Sequence, residues 1–446
     1  MAGIFKAYDI RGTVPEQLND DMAYKIGKAA GIFFGKSPII VGRDMRESGI
    51  ELSENLIRGL NDVGIDVINV GLIETPMINF STVFLAAAGG IMITASHNPA
   101  GYNGFKFCRE EAKPVGYDSG IDEIERLAYE DIELSERKGA VIDKDVYEDY
   151  IDYLLSYVKN WKPLKIVVDA GNGMAGKTIP KFFKAVAEKK GVKMDVIPLF
   201  FELDGNFPNH DANPLDFDNM IDLQKKIKET NAHLGVAFDG DADRSGYVDE
   251  KSEIVTNDYV SIVIAMEYLK NNPKATFLYD IRTTWSFKET VEKMGGIAKK
   301  CKVGHSNIKE ALRKENAIFA GELAGHYYFK ENFNTDSGII AMIMIINLMC
   351  EENKKLSEFV DPLKKYFSSG EINSKITDPD EKMKELAEKY SYGNIEYIDG
   401  ISVEFTDWWF NVRKSNTEPV LRFICEATTK KLMEEKRDEV INLIRS

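Results

Sequence analysis

Three stretches of this chain are written to one plan, and that plan limits the fold more than any other feature. "SPIIVGRDMRESGIELSENLIRGLNDVGIDVINVG" runs from Ser37, "LKIVVDAGNGMAGKTIPKFFKAVAEKKGVKMDVIPL" from Leu164, and "ATFLYDIRTTWSFKETVEKMGGIAKKCKVGHSN" from Ala275. In each, an apolar run breaks into a loop rich in Arg, Asp, Gly or Asn, and a helix follows. A glycine-containing turn then leads to a second apolar run. Two strands joined by a crossover helix of this length form a parallel α/β unit. Three copies predict three α/β domains of similar build, with one large doubly wound sheet as the alternative.

After about Phe367 the pattern changes. "SSGEINSKITDPDEKMKELAEKY" is polar and broken by Gly and Pro, and "IEYIDGISVEFTDWWFNVRKSNTEPVLRFICEA" then alternates as antiparallel strands do. A smaller α+β domain is expected there. The expected boundaries are 1–155, 156–256, 257–367 and 368–446. "GIIAMIMIINLMC", from Gly338, is too short to span a bilayer. With Thr335, Asp336 and Ser337 as cap candidates it predicts a buried helix.

The formal net charge of −15 argues against a sequence-independent grip on nucleic acid, though not against a small anion. Cys108, Cys301, Cys350 and Cys425 are far apart and give no zinc spacing. "MAGIFKAYDIRGTVPEQ" has no apolar signal core. A cytoplasmic protein is expected, with neither membrane nor nucleic-acid partner, as a monomer or weak dimer.

The chemistry concentrates in four loops. "GVAFDGDADRSGYVDE", from Gly235, delivers Asp239, Asp241 and Asp243 at every second position off an apolar strand. Three such carboxylates repel one another unless a cation neutralises them, and all-oxygen ligation suits Mg²⁺ or Ca²⁺. An EF-hand is ruled out because Tyr247 and Val248 resume a strand where its closing Glu should follow. Arg244 could pair with these carboxylates or reach an anionic substrate. "NVRKSNTEPVLRF" offers Arg413, Ser415, Asn416 and Thr417 as a phosphate cradle, or as a plain hairpin loop. "AGELAGHYYFKENFN" places Glu322 and His326 after an apolar run, where Glu322 could accept from vicinal sugar hydroxyls. "GGIMITASHNPAGYNGFKF" ends a buried strand on Ser96 and His97. Neighbouring side chains on an extended segment face opposite ways, so this pair does not read as a nucleophile and its base.

"TASHNP", "DGDADR", "GELAGH" and "RKSNTEP", in this order, resemble the four active-site loops of the α-D-phosphohexomutases. "YDIRG" (from Tyr8) and "KVGH" (from Lys302) fit the same family, and "KAYDIRG" (from Lys6) together with "SNTEP" resembles its phosphomannomutase/phosphoglucomutase branch. Phosphoglucosamine mutases, the alternative branch, typically carry "FGTDGIRG" and a Gly where Asn416 stands. Two departures bear on sugar selectivity: Leu323 and Ala324 replace the usual Met and Ser, and Arg282 replaces a lysine.

The resemblance implies three α/β domains with mixed sheets plus the α+β domain, arranged around a central cleft. It implies that hexose 1-phosphate and hexose 6-phosphate are interconverted through a phosphoserine at Ser96 and a 1,6-bisphosphate. One Mg²⁺ would be held by Ser96, Asp239, Asp241 and Asp243, with glucose or mannose 1,6-bisphosphate as activator. Lys106, Arg11, His305 and Arg244 are the candidates for proton handling or charge stabilisation. Tyr8, His97, Arg282, Glu322, Ala324, His326, Arg413, Ser415, Asn416 and Thr417 form the candidate substrate-binding set, with loop orientation the alternative for His97. Two other classes stay open. "GNGMAGKT", from Gly171, matches a nucleotide-binding P-loop after a strand, which would suit an ATP-using kinase or phosphatase. A non-catalytic sugar-phosphate binder is the third class.

Overall fold

A computed structural model of the chain describes residues 3–415 and 420–446, which divide into two compact units. The first comprises residues 1–256 and 324–357, the second residues 257–323 and 358–446.

Both strand–helix–strand expectations that fall in the first unit take the predicted form. Ile39–Arg43 pairs in parallel with Val67–Leu72 on one side and Gly89–Ile93 on the other. Tyr102–Arg109 then returns antiparallel to Gly89–Ile93, and Ile10–Thr13 adds antiparallel to that, so the six-stranded sheet is mixed. Ile39, Val41, Ile91 and Ile93 are fully buried beneath the helices Asp20–Phe34 and Gly49–Asp62. Those helices meet at glycine: a Cβ on Gly27 would lie 2.2 Å from the Leu56 carbonyl oxygen. Side chains of any size at that crossing would force the helices apart.

In the second sheet Lys165–Asp169 is flanked in parallel by Asp195–Leu199 and Leu234–Phe238. Ser245–Val248 reverses against Leu234–Phe238, so the connection between them is the tight loop that carries Asp239 to Arg244. A hairpin of Tyr327–Phe329 and Thr335–Asp336 precedes the helix Gly338–Glu352. Ser337 is the cap, accepting the Ile340 N–H at 3.2 Å, and the helix is buried along nearly its whole length. Among the described residues, no helix is long and apolar enough to cross a membrane.

In the second unit, Thr276–Asp280 is flanked in parallel by Ile297–Cys301 and Phe319–Gly321. The C-terminal part is antiparallel, with Trp408–Lys414 between Ile401–Glu404 and Leu421–Ala427. Trp408, Phe410, Val412, Leu421 and Phe423 form its core. The four cysteines are all free and buried.

One buried acid sets a pH dependence of stability. Glu74, which precedes the helix Thr75–Phe84, is fully buried and accepts from the Tyr150 hydroxyl at 2.6 Å. Burial pushes its carboxyl up to about 7 from an ordinary 4.5. The folded protein therefore keeps a proton that the unfolded chain releases, and stability falls as pH rises between those values. Glu74→Gln should be less sensitive to rising pH: its melting temperature should drop less than the wild type's between pH 5 and pH 8. The difference should be on the order of 3 kcal/mol at full ionisation. Parallel melting curves for the two proteins would show that Glu74 does not titrate differently on folding.

Candidate active site

Ser96 sits where the buried strand Gly89–Ile93 gives way to a turn, before the chain returns as Tyr102–Arg109. It is 2% exposed and adopts φ +51°, left-handed backbone that costs a non-glycine residue energy. That backbone corrects the expectation that Ser96 and His97 face opposite ways. The segment is not extended, and Ser96 Oγ lies 3.4 Å from His97 Nδ1. The Ser96 hydroxyl donates to Asp239 Oδ2 at 2.8 Å and accepts from Arg244 Nη2 at 2.9 Å. Arg244 Nη2 also meets His97 Nδ1, and its Nε donates to Asp239 Oδ2 at 3.0 Å. Burial, then the Arg244 charge, holds His97 well below its ordinary value, so its ring is neutral at pH 7.

Glycine brings the acidic loop against the serine. A Cβ on Gly240 would stand 2.6 Å from the Ser96 carbonyl oxygen. Asp239, Asp241 and Asp243 are buried and can offer one oxygen each within 4.8 Å of one another. Lys106 Nζ donates to Asp241 Oδ2 at 2.8 Å and to Asp243 Oδ2 at 2.6 Å, while Thr75 Oγ1 bonds Asp241 Oδ2. Asp241 Oδ1 and Asp243 Oδ1 remain buried without a hydrogen-bond partner. Orphaned carboxylate oxygens of this kind are costly unless a cation takes them up. An all-oxygen set with two such atoms fits a hard divalent ion.

The electrostatics divide the three acids. Burial, then Asp243 and Asp241, pushes Asp239 up to about 8. Burial would push Asp241 and Asp243 up as well, but Lys106 holds both below the ordinary carboxylate value. Lys106 is in turn kept charged: against burial, Asp241 and Asp243 hold it above the usual lysine value.

Other predicted residues gather in the same unit. His326 Nδ1 lies 2.7 Å from Asp336 Oδ2 and 3.7 Å from Asp243 Oδ1, so it borders the acidic loop. Burial opposes its charge, but Asp243 and Asp336 outweigh it and raise His326 above its ordinary value. Arg11 donates to Asn98 Oδ1 and pairs with Asp9. Tyr8 and Ala324 are half-buried.

The second unit holds the remaining candidates. Glu322 Oε1 accepts from the Gly304 N–H at 3.3 Å, at the start of the helix His305–Lys314, and lies 3.5 Å from Arg282 Nη2. Arg282 spends its fork on Asp280, through Nε at 3.0 Å and Nη2 at 2.8 Å. Its Nη1 reaches Glu371 at 3.3 Å, where Arg413 Nη2 (2.9 Å) and Arg422 Nη1 (2.8 Å) also converge. Against burial, Arg282, Arg413 and Arg422 hold the Glu371 carboxyl down at about 2. Ser415 donates its N–H to Val420 at 3.0 Å; Asn416 and Thr417 lie outside the described residues.

The glycine-rich turn from Gly171 is used for packing. A Cβ on Gly173 would lie 2.8 Å from the Gly240 carbonyl oxygen, to which the Met174 N–H donates at 2.9 Å. Lys177 Nζ donates to the Leu72 carbonyl at 2.8 Å and sits over the Tyr147 ring. The turn thus supports the acidic loop instead of presenting free donors to a phosphate chain.

Asp336, Thr75, Glu371 and Arg422 join these clusters without a motif in the sequence that assigns them to a site. Along the chain Asp336 reads only as a cap candidate, and Thr75 follows Glu74 in a stretch with no motif. Glu371 stands in a polar linker whose charge has no local partner. Only the three-arginine convergence marks it, and that is invisible along the chain.

Four family models match the chain in order. The phosphoglucomutase/phosphomannomutase alpha/beta/alpha domain I covers residues 2–134, domain II 148–252, domain III 256–366, and the C-terminal domain 371–443. A phosphomannomutase of Escherichia coli is 39% identical, covering 99% of each chain. A phosphoglucomutase of Neisseria gonorrhoeae is 38% identical over 99% of this chain and 97% of its own. The crystal structure of a Burkholderia thailandensis phosphoglucomutase/phosphomannomutase family protein superposes with a TM-score of 0.91, at 33% identity over 99% of this chain and 96% of that one.

Proposed function

Because this chain belongs to the phosphoglucomutase/phosphomannomutase family, we propose that it interconverts hexose 1-phosphates and hexose 6-phosphates, with Ser96 as the phosphoryl carrier. The observation that carries this reading is the Ser96 hydroxyl bonded at 2.8 Å to Asp239, within three buried carboxylates that keep two orphaned oxygens. Those oxygens and the residues around them fit one Mg²⁺, which when bound supplies neutralising charge to a departing phosphoryl group.

In the forward direction the sugar O6 gives up its proton and attacks the phosphorus of phosphoserine 96, the bond from Ser96 Oγ to phosphorus breaks, Ser96 Oγ takes up a proton, and a 1,6-bisphosphate forms. After the intermediate turns over, Ser96 Oγ gives up its proton and attacks the phosphorus on O1, the bond from O1 to phosphorus breaks, O1 takes up a proton, and hexose 6-phosphate is released. Arg244 and Lys106, held against burial above their ordinary values by the neighbouring carboxylates, bring positive charge to oppose the negative charge that moves between oxygens. His97, neutral and buried, holds the loop through Arg244. Arg413, with Ser415, Asn416 and Thr417, holds the phosphate that is not reacting, and Glu322 reads sugar hydroxyls. A 1,6-bisphosphate activates by loading Ser96.

Glucose and mannose differ only at C2, which a carboxylate on O3 and O4 need not sense. Both 1-phosphates should therefore be turned over with Mg²⁺, and glucosamine 1-phosphate poorly. Glu322→Ala should impair glucose and mannose substrates together, since a site built around hydroxyls loses their acceptor. A coupled assay on the three 1-phosphates decides this. Preference for the amino sugar would assign the chain to the phosphoglucosamine branch, and turnover requiring ATP would reject the mutase.

A further inference from the structure

Ser96 keeps an uncommon backbone angle, so something must fix it, and the fixing groups come from one loop that the mechanism above does not use. Both backbone polar groups of Ser96 are tied to that loop. Its N–H donates to Thr94 Oγ1 at 2.9 Å, and the Thr94 hydroxyl donates to Asp44 Oδ2 at 2.7 Å. Its carbonyl oxygen accepts from Arg46 Nη2 at 3.0 Å.

Arg46 does more than this one bond. Nη2 also donates to the Asn98 carbonyl, and Nη1 donates to the Pro99 and Tyr102 carbonyls at 2.8 and 3.0 Å. The four hydrogens of the two terminal nitrogens thus meet four carbonyl oxygens of residues 96–102. Nε faces Asp44 Oδ2 at 3.4 Å, and Asp44 Oδ1 accepts the Arg46 N–H at 2.9 Å. The guanidinium is 1% exposed and its face is covered by the Phe207 ring at 4.9 Å. Gly205 makes that cover possible, since a Cβ there would lie 2.8 Å from Arg46 Cα. Only a planar fork with fixed donor directions reaches all four acceptors; a lysine ammonium cannot.

We propose that Arg46, oriented by Asp44, is a positioning residue for phosphoryl transfer: its fork holds the 96–102 backbone so that Ser96 Oγ points at the acidic loop. The proposal rests on Ser96 being the phosphoryl carrier. Arg46 touches no reacting atom and acts through the Ser96 backbone, so its loss should lower kcat and leave substrate affinity alone. A misplacement of about 1 Å is enough to cost on the order of 100-fold in rate.

The test compares wild type, Arg46→Lys and Arg46→Ala for kcat, KM and melting temperature with glucose 1-phosphate and Mg²⁺. Arg46→Lys should lose at least tenfold in kcat with KM within threefold of wild type. Guanidinium ion at tens of millimolar should restore at least tenfold in kcat to Arg46→Ala and nothing to Ser96→Ala. If Arg46→Ala does not fold, Arg46→Lys decides alone. A kcat within threefold of wild type in Arg46→Lys, or kcat and KM changing together, overturns the proposal. So does a folded Arg46→Ala that guanidinium leaves unchanged. An inactive wild type overturns the underlying reading of Ser96 instead, and with it this proposal.

Discussion

Ser96→Ala is expected to fold as the wild type does and to lose at least about 1,000-fold in turnover, equivalent to about 4 kcal/mol of barrier. The substitution removes one oxygen from a backbone that Arg46 and Thr94 hold independently of the side chain. What it deletes is the atom to which the phosphoryl group is bound between half-reactions. Asp239 and Arg244 lose one shared partner but keep each other at 3.0 Å, so no buried charge is stranded. Turnover and melting temperature measured on the same preparation separate the two consequences. A variant that keeps a tenth or more of wild-type turnover would mean that phosphate travels by another route.

Removing divalent metal should abolish turnover, and adding Mg²⁺ after dialysis should restore it. Asp241→Asn should do by mutation what a chelator does by competition. Asp241 offers Oδ1 without a partner, while its Oδ2 already serves Thr75 and Lys106. An amide keeps the volume but gives up the charge that a hard cation needs. The loss in turnover should be at least about 100-fold at a metal concentration that saturates the wild type. Titration calorimetry with Mg²⁺ should show one site in the wild type and much weaker binding in the variant. Undiminished activity in excess chelator would remove the cation from the account.

The fold was legible wherever a periodic pattern and a turn signal agreed. The three strand–helix–strand stretches became parallel pairs, Ile39–Arg43 with Val67–Leu72, Lys165–Asp169 with Asp195–Leu199, and Thr276–Asp280 with Ile297–Cys301. The acidic loop was legible too, because alternating carboxylates and small residues after an apolar strand leave few other readings. Less visible was anything assembled across the chain. Arg46 reaches carbonyls more than fifty positions away, and Glu371 joins arginines from three different segments. His326 follows Glu322 by four residues, yet the structure sets it beside Asp243 and Asp336. The Ser96–His97 misreading has a narrower cause: one positive φ turns neighbouring side chains to the same side, and no composition rule announces it. The Gly171 turn shows the converse, a motif matched letter for letter whose backbone is engaged by Gly240.

The central claim is that the phosphoryl group passes through Ser96, and a labelled chase measures it directly. The enzyme is incubated briefly with glucose 1,6-bisphosphate carrying isotopic phosphorus, digested, and its peptides mapped. Label should reside on the peptide containing Ser96 and on no other. Addition of unlabelled glucose 1-phosphate should then move that label into sugar product at a rate no slower than steady-state turnover. Label that never appears on Ser96, or that leaves it more slowly than the enzyme turns over, would contradict the account.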